Sequence, residues 1–145
     1  MILFSSELEF TEKNKIKMNK FIIDAAKEKI FLMIISQNGI YNITHNNTKI
    51  NYEKLTIFIN EFLNTKNLKI CDINKIYVNK GPGSFAGIRN SFSIAKALYV
   101  AKKIDYYCYS FEDFKGEEKV SYEDIPNLCD KFKIKKNLIN PNYIS

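Results

Sequence analysis

The sequence predicts an α/β domain on a mixed sheet, with elements in the order β-β-β-α-β-α-β-α, and three observations carry that expectation. Short β-branched and apolar runs fill the stretch from Lys20 to His45, broken by the turn dipeptide Asn38-Gly39. A helical repeat of Leu55, Phe58, Ile59 and Phe62 follows them. Further strand-like runs then alternate with a second, longer helix.

Residues 1–17 are a polar, Lys-rich extension without a motif, and a start of translation at either Met1 or Met18 fits the pattern. The first strand is expected at 20–23. Residues 29–36 form a β-branched and apolar run, and 40–45 alternate apolar with polar, so the first three strands are antiparallel. Asn51 is expected to cap a helix over 52–64 that covers the sheet. A short strand at 75–79, a turn at 81–83, a long helix at 84–103 and a strand at 105–109 come next, then a helical turn near 111–114. An antiparallel start continued by βαβ crossovers excludes most doubly wound folds and fits a ribonuclease-H-like or actin-like half-domain. From Lys115 the pattern fades into Glu, Lys and Asn with a lone Pro126, which predicts an irregular tail over 115–145 with at most one short helix.

With 145 residues, 46% of them hydrophobic, the chain supports one sizeable core and is too short for two ordinary domains. Its net charge of +6 comes almost entirely from Lys, Arg89 being the sole Arg. A nucleic-acid surface is one reading, and a dispersed charge that serves solubility is the other. Cys71, Cys108 and Cys129 are odd in number and widely spaced, which suggests neither a disulfide framework nor a zinc site and fits a reducing cytoplasm. No apolar run approaches eighteen residues, and Glu7 and Glu9 interrupt the apolar start where a signal peptide would continue, so a soluble protein that is not exported is expected.

Gly81, Gly83 and Gly87 fall within seven residues, and Arg89 lies two positions beyond. Such clustering in a Gly-poor chain calls for a backbone explanation. Glycine permits positive φ, expected here at Gly83, and close approach of another chain or ligand; Pro82 stiffens the turn and Ser84 can cap the following helix. A helix start of this kind attracts anions. A Walker loop nevertheless fails on residues, because Gly87 is followed by Ile88-Arg89. Gly81-x-Gly83-x-x-Ala86 meets the loose dinucleotide pattern, yet Asp105 opens the next strand where the ribose-binding acid should close it. A metal nuclease would take Asp24 and either Glu53 or Glu61, but Asn79 and Lys80 stand where the third carboxylate is needed. A peptidase would find only His45, expected as an exposed strand-end residue, and Ser84 reads as a cap rather than a nucleophile. No catalytic residue, metal or cofactor of this chain is therefore expected.

The run Tyr77-Val-Asn-Lys-Gly-Pro-Gly-Ser-Phe-Ala-Gly-Ile-Arg89, with Ser91, Ala95, Lys96 and Ala97, resembles the signature G-P-G-S-F-T-G-L-R of the TsaB (YeaZ) family. Phe21-Ile-Ile-Asp24 is similar to that family's opening strand, although Ala25-Ala26 replace its usual Thr-Ser, and Asp105–Phe114 to its next strand and turn. Related proteins of the superfamily were long labelled glycoproteases. The resemblance covers roughly 18–114 as a first, Gcp-like domain; Asn140-Pro141-Asn142-Tyr143-Ile144 is similar to the family's C-terminal ending, which implies that the 115–145 tail stands in for most of a second domain. The family has the actin-like ATPase architecture, with nucleotide between two such domains, and one domain alone does not make that cleft.

Placed at 100° steps, the long helix has two apolar faces, one of Phe85, Ile88, Phe92, Ala95 and Tyr99, the other of Ile94, Ala97, Leu98 and Ala101. One covers the sheet, and the other meets either the neighbouring helix or a second chain. The resemblance implies the second chain, since TsaB proteins pair through these two helices with the catalytic TsaD subunit or with themselves. It thus implies a motif loop of Gly81, Pro82, Gly83, Ser84, Phe85, Gly87 and Arg89, and a partner face of Ile57, Asn90, Ile94, Ala97, Leu98 and Ala101. The expected role is a non-catalytic scaffold of tRNA threonylcarbamoyladenosine synthesis, alongside TsaD, the ATPase TsaE and tRNA. A degenerate actin-like kinase or ATPase, and an adaptor for another partner, are the alternatives.

Overall fold

Five strands form one sheet in the computed structural model, which describes residues 18–141. They are β1 (Asn19–Asp24), β2 (Lys29–Ser36), β3 (Gly39–Asn46), β4 (Ile73–Asn79) and β5 (Asp105–Tyr109), in the spatial order β3-β2-β1-β4-β5. The first three pair antiparallel, and β1, β4 and β5 run parallel. Strand order, directions and the intervening helices are those of a ribonuclease-H-like, actin-like half-domain. The chemistry of β1 explains its central place: Phe21 and Ile23 point into one core while Ile22 points into the other, so both faces of the strand are apolar.

One face is covered by α1 (Lys49–Glu53), α2 (Leu55–Thr65) and α3 (Phe85–Lys102). Leu55, Ile59 and Phe62 of α2 and Ile88, Phe92 and Ala95 of α3 meet Ile23, Leu32, Ile34 and Val78 there. The single helix expected over 52–64 is instead two, joined at Lys54. Thr48, not Asn51, caps the first, its hydroxyl accepting from Asn51 N at 3.1 Å. Asn51 is already in the first turn and donates its amide to the carbonyl of Asn46 at 2.8 Å, which ties the helix start to the end of β3. His45 is half-buried rather than exposed, because its ring stacks on Phe58 with centroids 3.9 Å apart.

The opposite face is closed by the segment after β5. Phe114 and the short helix α4 (Ile125–Lys131), through Ile125, Leu128 and Cys129, pack on Ile22, Met33, Tyr77 and Tyr109. Pro126 sits in the first turn of α4, where a missing N–H costs nothing. The tail therefore holds the one short α-helix that the sequence allowed, and this helix forms the second layer of the core. No helix among the described residues is long and apolar enough to cross a membrane.

Candidate functional site

The C-terminal ends of the parallel strands β1 and β4 bring Asp24 and Asn79 together in the interior. Every contact of the Asp24 carboxylate is structural: Oδ1 accepts from Ala26 N at 3.1 Å, and Oδ2 accepts from Asn79 Nδ2 at 3.0 Å and the Tyr122 hydroxyl at 2.6 Å. Asn79 passes the connection on, its Oδ1 accepting from Gly81 N at 2.9 Å. Burial first, and then the charge of Asp24, raises Tyr122 above the ordinary phenol range, so it stays a donor. The buried Tyr109 beside it is raised for the same reasons, and its hydroxyl has no hydrogen-bond partner among the described residues. Among the described residues no three His, Cys, Asp or Glu side chains converge as a metal site would require.

The glycines of the loop serve close packing. A Cβ on Gly83 would lie 2.1 Å from the carbonyl oxygen of Ala26, and one on Gly87 would lie 1.8 Å from that of Ala25 and 2.7 Å from the Tyr52 ring. Positive φ belongs to Gly81 (φ 106), whose bond to Pro82 is cis, and not to Gly83 as the sequence suggested. Gly83 is glycine because the helix start rests on the backbone after β1, where Ser84 N donates to Ala26 O at 3.0 Å. Ser84 caps α3 as expected, its hydroxyl accepting from Gly87 N at 3.3 Å. Phe85 and Arg89 are exposed on the outer side of this first turn. The motif loop thus fixes where α3 begins and which way its faces point.

On α3 the sheet-facing stripe is Gly87, Ile88, Ser91, Phe92 and Ala95, all buried. Phe85 and Tyr99, expected on that stripe, lie outside it at 52% and 38% exposure, Tyr99 meeting the Tyr106 ring edge-on at 5.9 Å. Among the described residues the second face remains open. Ile94 and Leu98 are half-buried against the core edge, Ala97 and Ala101 are exposed, and Ile57 of α2 is 52% exposed. Asn90 and Ile94, with Tyr52, Glu53, Thr56 and Ser93, line a depression of about 300 Å³ between α3 and the α1–α2 pair.

The comparisons with known proteins fall on these elements. The TsaD family model, described as tRNA N6-adenosine threonylcarbamoyltransferase, matches residues 45–110, from the end of β3 through β5 and including the glycine loop. The tRNA threonylcarbamoyladenosine biosynthesis protein TsaB of Buchnera aphidicola subsp. Schizaphis graminum is 29% identical over 85 residues, 59% of this chain and 40% of that protein. The solved structure of YeaZ from Pseudomonas aeruginosa superposes with a TM-score of 0.60 at 15% identity, over 64% of this chain and 44% of its own. The chain is thus similar to TsaB and YeaZ proteins in sequence and in fold. A second structure, of a protein with similarity to the peptidase YeaZ from Pseudomonas aeruginosa, gives the same TM-score of 0.60 at 15% identity and covers 64% of this chain and 43% of its own. At that identity the two structures establish the shared fold. The chain spans less than half the length of the TsaB and YeaZ proteins that it matches.

Tyr122 is the residue of the strand-end cluster that the sequence did not reveal. It lies 98 positions beyond Asp24, in a segment without periodicity, so only the tertiary fold reports its role. Lys27 was likewise silent, although its ammonium sits 3.9 Å over the Phe111 ring.

Proposed function

We propose that this chain is a non-catalytic scaffold subunit in the threonylcarbamoyl modification of adenosine in tRNA, and that it binds a TsaD-like partner through α2 and α3. The observation that carries the reading is the open face of α3, where Ile94, Ala97, Leu98 and Ala101 lie outside the stripe that is buried on the sheet, together with the exposed Ile57 of α2. Small residues at i and i+4 let a second helix approach closely. The named activities of the related sequences, tRNA N6-adenosine threonylcarbamoyltransferase and threonylcarbamoyladenosine biosynthesis, support the pathway.

In this reading the partner supplies the chemistry, a TsaE-like ATPase joins the assembly, tRNA is the substrate of the whole, and the complex works in the cytoplasm. The same reading has the chain bind no cofactor of its own, and what supports it is that the oxygens of Asp24 accept from Ala26, Asn79 and Tyr122, and the Ser84 hydroxyl from Gly87. Reconstitution tests this directly. With ATP, threonine, bicarbonate and tRNA the chain alone is expected to yield no threonylcarbamoyladenosine by nucleoside mass spectrometry, and product formed without a second protein would overturn the scaffold assignment.

A further inference from the structure

The two edges of the sheet are treated differently. On the outer side of β5, Asn137 imitates a neighbouring strand: its side-chain oxygen accepts from Tyr106 N at 2.9 Å and its own N–H donates to Tyr106 O at 2.7 Å, beside a bridge between Tyr107 and Lys136. That edge is closed. β3 forms the other edge over eight residues, and its register with β2 is unbroken from Ser36–Gly39 to Lys29–Asn46. Sheet edges are ordinarily protected by charge, proline or a bulge. The strand Gly39–Asn46 has no charged residue and no proline, in a chain that is 26% charged, and it exposes Ile40 and Ile43.

A two-residue hairpin loop pairs Ser36 with Gly39 through backbone hydrogen bonds, so the backbone groups of Ile40, Asn42 and Thr44 point away from β2. The Asn46 carbonyl, the next in that series, accepts from Thr48 N and the Asn51 amide, and the edge, open among the described residues, ends there. We propose that this edge pairs antiparallel with β3 of a second copy of the chain, Asn42 standing opposite Asn42 across a two-fold axis.

That register uses the outward groups of Ile40, Asn42 and Thr44 on both strands. It places Ile40 opposite Thr44 on one face and Tyr41 opposite Ile43 on the other, so each exposed isoleucine gains a cross-strand neighbour. The occupant is another copy because the strand is self-complementary: having no charge, it meets itself without like-charge repulsion. The net charge of +6 on each copy opposes association over longer range, so the dimer tightens with added salt. This contact is separate from the open face of α3 and does not depend on the tRNA-modification reading.

The test is sedimentation of the full chain over a concentration series, with the variants Asn42→Lys/Ile43→Lys and Ala97→Glu/Ala101→Glu. A monomer–dimer equilibrium is expected, weakened at least ten-fold by the lysines at unchanged circular dichroism and retained by the glutamate variant. Oxidative cross-linking of Asn42→Cys in a Cys71→Ser background decides the register even where a lysine variant folds poorly. Asn42→Cys should give a covalent dimer, and Gln37→Cys at the hairpin tip should not. A chain that stays monomeric at every concentration, a dimer lost in the glutamate variant alone, or equal cross-linking at both positions would each overturn the proposal.

Discussion

Replacing Gly87 by Ala adds one methyl group to the third residue of α3, and two effects of opposite sign meet there. In an open helix the change stabilises by about 1 kcal/mol, the propensity difference between Gly and Ala. Here the new Cβ would sit 1.8 Å from Ala25 O and 2.8 Å from its carbonyl carbon, and neither is the free end of a flexible side chain. A carbon–oxygen contact relaxes only near 3.3 Å, so the helix start must retreat by about 1.5 Å. Retreat on that scale loosens the packing of Ile88 and Phe92, both buried, and stretches the bond from Ser84 N to Ala26 O. Losing about half the burial of two large side chains, each worth about 1.5–3 kcal/mol, plus one hydrogen bond near 1 kcal/mol, outweighs the propensity gain. The net expectation is a destabilisation of about 1.5–3 kcal/mol, a fall in melting temperature of about 10 °C. Thermal unfolding followed by circular dichroism measures it, with urea denaturation as a second probe. A melting temperature unchanged or raised would show that helix propensity wins, and that the loop does not hold α3 against the backbone after β1.

Tyr122→Phe deletes a donor to the buried Asp24 and should cost about 1–3 kcal/mol by urea denaturation, and no loss would mean that Asp24 does not need the tail. Burial pushes the thiols of Cys108 and Cys129 from the ordinary 9.0 up to about 12. Acids whose folded pKa is raised leave stability intact below the unfolded value and remove it above, so unfolding free energy should hold to about pH 9 and decline from there toward pH 12. At pH 8 iodoacetamide should label Cys71, which is exposed, and reach the two buried thiols only after denaturation.

The order of elements was legible because each rests on a local signal: the Asn38-Gly39 turn, the period of α2, the capping Ser84. The glycine loop was legible as a place but not as a geometry. Only the packed structure separates Gly81, which needs positive φ, from Gly83 and Gly87, which need the absence of a Cβ. The break at Lys54 escaped because the apolar period runs through it, and the tail escaped because Ile125, Leu128 and Cys129 span barely one helical turn. The covering of the second sheet face and the bond from Tyr122 to Asp24 are tertiary facts with no local signature.

The open face of α3 carries the central claim, and Ala97→Glu/Ala101→Glu tests it, since both residues are exposed in the isolated chain and would become desolvated in a complex. The measurement is calorimetric titration of a TsaD protein into the wild-type chain and into this variant, with circular dichroism on the same preparations. A variant that keeps its fold and loses binding by a hundred-fold or more is the predicted result; a folded variant that binds TsaD as tightly as the wild type would contradict the account.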